Sequence, residues 1–109
     1  MAGIAGVFAT EPQGAVVRRM LDALRHRGPD TMSLFETAHR AGGVCAADLS
    51  AERGVGFAQR EGVTVLLDGD IYNERPEGQS DADVAIGLYR EYGQAFPAYL
   101  EGVFACAVY

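Results

Sequence analysis

Lysine and tryptophan are absent from this 109-residue chain, and cysteine occurs only twice. Cys45 and Cys106 are too few for a disulfide framework or a closed zinc site. His26 and His39 are not at metal-ligand spacing, so no metal site is expected. Without a disulfide framework the expected compartment is a reducing one, the cytoplasm. No apolar run reaches the roughly 18 residues of a membrane span. Met1 to Gly14 has no basic group ahead of its apolar stretch and does not read as a secretion signal. Internal repeats and low-complexity linkers are lacking as well.

What is present describes a folded domain. Hydrophobic residues make up 49% of the chain and charged residues 22%, ordinary for a globular protein. A single domain over residues 1–109 is expected, with roughly 65% of its unfolded surface buried. All nine basic residues are arginine, and the net charge is -6. Residues 1–60 carry seven arginines against six acids, whereas residues 61–109 carry two against nine. An acidic second half argues against nucleic acid as a partner and reads as a solvated surface.

Gly3 to Ala9 is a small apolar run that suits a buried strand. Thr10 and Gln13 have capping-box spacing, ahead of Val17, Met20, Leu21 and Leu24 at helical intervals. Gly28-Pro29 ends that helix. Residues 31–37 and 43–49 are expected strands. Residues 54–59 and 63–67 flank Arg60-Glu61-Gly62 and predict a hairpin. Asp68 to Ser80 is loop-like. Ser80 is placed to cap a second helix with Val84, Ala85, Leu88, Tyr89 and Tyr92 on its apolar face and Gly93 at its end. Tyr89, Tyr92, Phe96 and Tyr99 read as core or interface. Val103 to Tyr109 is a continuous apolar run, which predicts a strand buried on both faces. The chain stops inside that run, which suggests a fragment, or an edge covered by another chain.

Four segments then arrive in a fixed order. They are Met1-Ala2-Gly3-Ile4-Ala5-Gly6, then Arg25-His26-Arg27-Gly28-Pro29-Asp30, then Gly69-Asp70-Ile71-Tyr72-Asn73. Last comes Ser80-Asp81, leading to Leu100 through Tyr109. Together they resemble the N-terminal class II glutamine amidotransferase domain of the asparagine synthetase family. The family pattern is Met-Cys-Gly-Ile-Ala-Gly, His-Arg-Gly-Pro-Asp, Asn-Gly-Glu-Ile-Tyr-Asn, Ser-Asp before a helix, and Gly-Met-Phe-Ala-Phe-Ala. The resemblance covers nearly the whole chain, with a shortened stretch near 38–62. It implies an α+β fold, an N-terminal-nucleophile (Ntn) α-β-β-α sandwich, with about half of the family domain present.

The resemblance also implies a chemistry. Once Met1 is removed, the thiol of residue 2 attacks the glutamine side-chain amide and its own α-amine takes the proton. An Asn side chain and the next Gly N–H stabilise the oxyanion. An Arg holds the substrate carboxylate and an Asp its α-ammonium. In this chain the nucleophile position is Ala2, which has no attacking atom. The oxyanion-hole positions are Asp68 and Gly69; ionised Asp accepts hydrogen bonds but donates none. Asp70 stands where the family has Glu, and Asp81 matches the ammonium-binding Asp. The carboxylate-binding Arg has no clear equivalent, with Arg40 and Arg53 only flanking its segment. Arg27, Gly28, Pro29 and Asp30 read as an architectural turn, and Tyr72 and Asn73 as ordering the loop behind the pocket. Cys45 and Cys106 sit in apolar strands without an adjacent α-amine and read as inert. Asp68, Asp70 and Asp81 as a cation site is the less favoured reading.

These departures point to a degenerate glutaminase site, as in the amidotransferase-like domains of beta-lactam synthetases and lasso-peptide cyclases. The expected role is structural, with no glutamine hydrolysis by the chain itself. The expected partner is an ATP-pyrophosphatase synthetase domain or subunit, which would hold the ATP and Mg²⁺; the chain itself is expected to hold no cofactor. Two alternatives stand beside this. One is an active glutaminase domain captured as a nucleophile-to-Ala variant. The other is a stand-alone interaction module that binds glutamine or another amino acid. No membrane partner is expected.

Overall fold

The computed structural model describes residues 2–46 and 56–109. Its elements are β1 (Ala2–Phe8), α1 (Gly14–Ala23), a 3-10 turn (Arg25–Arg27), β2 (Thr31–Glu36) and β3 (Arg40–Ala46). They continue with β4 (Phe57–Arg60), β5 (Val63–Ile71), α2 (Asp81–Tyr92), a 3-10 segment (Gly93–Tyr99) and β6 (Gly102–Val108). The strands form two antiparallel three-stranded sheets, ordered β1-β3-β2 and β4-β5-β6. The fold is α+β, as expected.

Three apolar clusters define the layering. Val17 and Leu21 of α1 pack on Ala41 and Cys45 of the first sheet. Val84, Ala85 and Ile86 of α2 pack on Val65, Leu67 and Ile71 of the second. Ala2, Val44 and Ala46 fill the space between the sheets with Ile4 and Phe57. The order is therefore helix, sheet, sheet, helix. Residues alternate along each strand, so one face of each sheet meets its helix and the other meets the opposite sheet.

The middle strands carry the most buried residues. Ala41 to Ala46 of β3 are buried on both faces because β3 has a neighbour on each side and a layer above and below. Residues 47–49 of the expected second strand lie outside the described residues. The hairpin turn is two residues, Glu61-Gly62, since Arg60 pairs with Val63.

Three expectations need correction. The Thr10/Gln13 capping box does not form: α1 begins at Gly14, and Gln13 makes no side-chain cap. A distant residue replaces it, because the Gly14 N–H donates to Glu36 Oε2 at the end of β2. The segment 68–71 is strand, not loop; Asp68 to Ile71 pair with Ala105 to Gly102. β6, expected to be covered on both faces, is an edge strand, and Val103 is 75% exposed. Its apolar run suggested two covered faces, but only the face with Phe104, Cys106 and Val108 packs on the α2 cluster, while Val103 on the other face stays in solvent.

Helix α2 follows its local signals. Ser80 Oγ accepts from the Asp83 N–H at 3.1 Å, and Asp83 Oδ2 accepts from the Ser80 N–H at 2.9 Å. Asp81 and Asp83 lie in the first turn, where the helix dipole favours them. Gly93 closes the helix at φ 61. Phe96 is buried edge-on against Tyr89, centroids 5.6 Å apart, while Tyr92 and Tyr99 stack at 3.7 Å on the surface.

Candidate functional site

The start of β1 is where the sequence motifs meet. Ala2 pairs with Ala46, the last residue of β3. Gly28 lies against the same Ala46: a Cβ there would come within 2.5 Å of Ala46 Cα. Only a residue without a side chain allows that approach. The Asp30 N–H donates to Ala46 O at 3.1 Å and locks the turn to the strand end. Arg27 is thereby delivered beside Ala2, and its Nε donates to Ala2 O at 2.9 Å.

Asp68 reaches the same point from the other sheet. Val65, Leu67 and Ile71 of β5 face α2, so by alternation Asp68 faces β1. Its Oδ1 accepts from the Ala2 N–H at 3.2 Å, and its Oδ2 accepts from Arg27 Nη2 at 2.8 Å. Ala2 itself is buried, with 8% of its surface exposed. Residue 2 is thus held at both backbone polar groups, by a carboxylate and a guanidinium that also hold each other.

Gly69 follows with φ 133, and a Cβ there would stand 2.2 Å from Val103 O. Both facts require glycine at this place in β5. Asp70 is exposed one residue further on.

A second cluster gathers where β5 ends. Asp81, the first residue of α2, is 3% exposed. Its Oδ2 accepts from the Ile71 N–H at 3.2 Å, and its Oδ1 accepts from Arg75 Nη1. Arg75 Nη2 donates to Ile71 O, and Nε to Asn73 O at 3.3 Å. Asn73 fastens the loop from outside: its Nδ2 donates to Tyr99 O at 2.7 Å, and its Oδ1 accepts from the Glu101 N–H at 2.8 Å. The Tyr72 N–H donates to Glu101 O at 2.7 Å, while its ring is 58% exposed.

The other candidates lie elsewhere. Arg40 starts β3 opposite Phe8, six residues from Ala46, which is roughly 20 Å along a strand. It cannot reach residue 2. Arg53 lies outside the described residues. Cys45 faces α1 and Cys106 faces α2, each on the sheet face away from Asp68. Burial pushes the Cys106 thiol up to about 11. His26 and His39 are exposed. Among the described residues no group of three or more His, Cys, Asp or Glu side chains is arranged to hold a metal ion. Two surface clefts, of about 360 and 790 Å³, open beside Arg40 and Tyr109 and beside α1; Ala2, Asp68 and Asp81 line neither.

The layered fold and the ordered motifs agree with the comparison of the whole sequence, where the family model described as a glutamine amidotransferase domain matches residues 1–109. The chain belongs to the glutamine amidotransferase domain family. Its relatives include asparagine synthetase B [glutamine-hydrolyzing] of Escherichia coli strain K12, 27% identical over 100% of this chain and 23% of the relative. The asparagine synthetase [glutamine-hydrolyzing] of Brassica oleracea is 31% identical over 96% of the chain and 21% of its own length. Amidase chry2 of Gibberella zeae is 31% identical over 78% of the chain and 15% of its own length. The amidotransferase domain described here therefore spans about a fifth of the asparagine synthetases it matches. No described helix is long and apolar enough to cross a membrane.

Two site residues were not legible as such in the sequence. Arg27 reads in the sequence as part of an architectural turn, and nothing local connects it to Asp68, 41 residues away. Arg75 belongs to none of the four motif segments. The only signal was its being the one base in the acidic stretch 68–83, facing several carboxylates.

Proposed function

We propose that this chain is a catalytically silent glutaminase-type domain that supports an ATP-dependent amide-forming synthetase. One observation carries the reading. At position 2, where the family reaction needs a nucleophile, there is a methyl group, and Asp68 and Arg27 occupy the backbone groups around it.

The family reaction needs three things at this point: an attacking atom, a free amine as base, and neutral donors for the oxyanion. Ala2 offers no attacking atom. The nitrogen of residue 2 donates to a carboxylate. A carboxylate at Asp68 would repel a developing oxyanion, and it is already tied to Arg27. What the cluster does perform is mechanical. It joins the first strand, the Arg25–Arg27 turn and the second sheet at one point, which fixes the two sheets in register. That suits a domain kept for its shape and its docking surface.

The support for a synthetase partner is the set of relatives named asparagine synthetases, of which this chain matches only about a fifth. On this reading ATP and Mg²⁺ belong to the synthetase part, and the amine comes from a source other than glutamine hydrolysed here. A cytoplasmic setting belongs to the same proposal.

The test is ammonia release from glutamine by the purified protein. No release above the protein-free rate is expected. Ala2→Cys alone is also expected to stay silent, because Asp68 and Arg27 remain. Turnover by the unaltered chain would overturn the proposal. Turnover by Ala2→Cys would show an intact pocket and favour the captured-variant reading instead.

A further inference from the structure

We propose that the cleft at the far end of the sandwich from Ala2 binds a small aromatic carboxylate, with the Arg40 and Arg60 guanidiniums on its acid group and the Phe35 and Tyr109 rings against its apolar body.

The cleft has a volume of about 360 Å³ and lies where the β2–β3 turn of one sheet meets the β4–β5 hairpin of the other. Small-molecule pockets usually span about 300–1,000 Å³. Most polar groups around it are already satisfied. Glu36 accepts from the Gly14 N–H, and Glu61 accepts from Arg90 Nη2. Gln59 Nε2 donates to Thr64 Oγ1 at 3.1 Å. Thr37 Oγ1 accepts from the Arg40 N–H at 3.1 Å and donates to Arg40 O at 3.3 Å. The Arg40 and Arg60 guanidiniums line the same cleft and make no hydrogen bond or ion pair among the described residues. A guanidinium has five N–H donors and no acceptor, and its fork matches a carboxylate. The whole chain has a net charge of -6, so its surface in general repels an acid and this place does not.

The aromatic wall is fixed before any ligand arrives. The Tyr109 ring sits between Phe8 and Phe35, with both centroids at 5.1 Å and the Phe35 ring edge-on. Gly6 makes room for it, because a Cβ there would stand 1.7 Å from Tyr109 Oη. Backbone bonds of 2.9 and 2.8 Å between Thr64 and Tyr109 hold that ring to the second sheet. Both arginines also start from fixed backbone. Arg40 is clasped by Thr37, and Arg60 pairs with Val63 across the two-residue turn. A ligand ring therefore meets rings already in place, at little ordering cost. The proposal is independent of the silent-site reading, since Arg40 stands opposite Phe8 at the other end of β1 from Ala2.

The test is calorimetric titration of the full chain with benzoate, acetate, benzamide and inorganic phosphate. Benzoate is expected to bind saturably with a dissociation constant of about 1 mM or below. Acetate and phosphate lack the ring and benzamide lacks the charge, so each should bind at least about tenfold more weakly. Arg40→Gln and Arg60→Gln should each weaken benzoate about tenfold. Arg19→Gln, in the other cleft, should leave it unchanged. If Arg40→Gln does not fold, Arg60→Gln, beside the exposed turn, decides alone. No saturable heat with benzoate at about 10 mM overturns the proposal. Equal binding of benzamide overturns it, because the acid would not be recognised. Equal binding of acetate or phosphate overturns it too, because the site would then take any anion. Unchanged benzoate affinity in the arginine variants places the binding elsewhere and overturns it as well. Ammonia release from glutamine would defeat the silent-site reading and leave these titrations unchanged.

Discussion

Arg27 and Asp68 meet at 2.8 Å across the junction of the two sheets, and each also holds a backbone group of Ala2. The pair is part-exposed, with side chains 39% and 21% accessible, so its charge attraction alone is worth under about 1 kcal/mol. The Arg27 bond to Ala2 O adds about 1 kcal/mol. Arg27→Ala is therefore expected to lower stability by about 1–2 kcal/mol, read from the urea midpoint at unchanged slope. Asp68→Asn keeps an acceptor for Ala2 and loses only the charge, so it should cost less.

Gly69 and Gly87 should respond in opposite directions to alanine. At Gly69 the backbone has φ 133 and a Cβ would lie 2.2 Å from Val103 O. Gly69→Ala is expected to cost about 3 kcal/mol or more. Gly87 lies inside α2, and a Cβ there meets nothing within 4 Å. Gly87→Ala should gain about 0.5–1 kcal/mol from the better helix former. Paired denaturant curves decide both, and a tolerated Gly69→Ala would show that β5 and β6 can separate at this point.

Apolar content alone does not set the value of a side chain; its place in the layers does. Leu21 is fully buried between α1 and the first sheet, and Leu21→Ala should cost about 2–5 kcal/mol. Val103 is 75% exposed on the edge strand, so Val103→Ser should stay within about 0.5 kcal/mol. A large loss at Val103 would mean that its face is covered in solution.

Cys106 gives a pH signature. Burial raises its thiol from the ordinary value near 9 to about 11, so the folded chain holds this proton more tightly than the unfolded one. That stabilisation is whole below pH 9 and is lost as pH rises toward 11. Alkylation of native protein by iodoacetamide should be slow at pH 8, with Cys106 half-buried and its thiol protonated and Cys45 buried, and fast once the chain is unfolded. Cys106→Ala should remove its share of the stability loss between pH 9 and 11.

Much of the architecture was readable in order. Helix α2 was legible because its signals are local: Ser80 and Asp83 satisfy each other three residues apart, and Gly93 closes the end. The family was legible because its motifs lie in short runs. The start of helix α1 has no usable local signal, because its cap comes from Glu36, 22 residues away. The exposure of β6 has no local signal, because a hydrophobic run records apolarity, while burial depends on what covers each face of the strand.

Residue identity and short-range spacing were enough to read the family, the order of the elements and the alanine at position 2. Which partners Asp68 and Asp81 would find depended on the packing of the layers. Asp68 and Asp81 each ended on an arginine, Arg27 and Arg75, brought to them by a turn pressed on Ala46 and a loop fastened to Tyr99 and Glu101. The physical reason is that ion pairing depends on distance through space. A buried carboxylate takes the cation that the packed layers put within reach, wherever it lies in the chain.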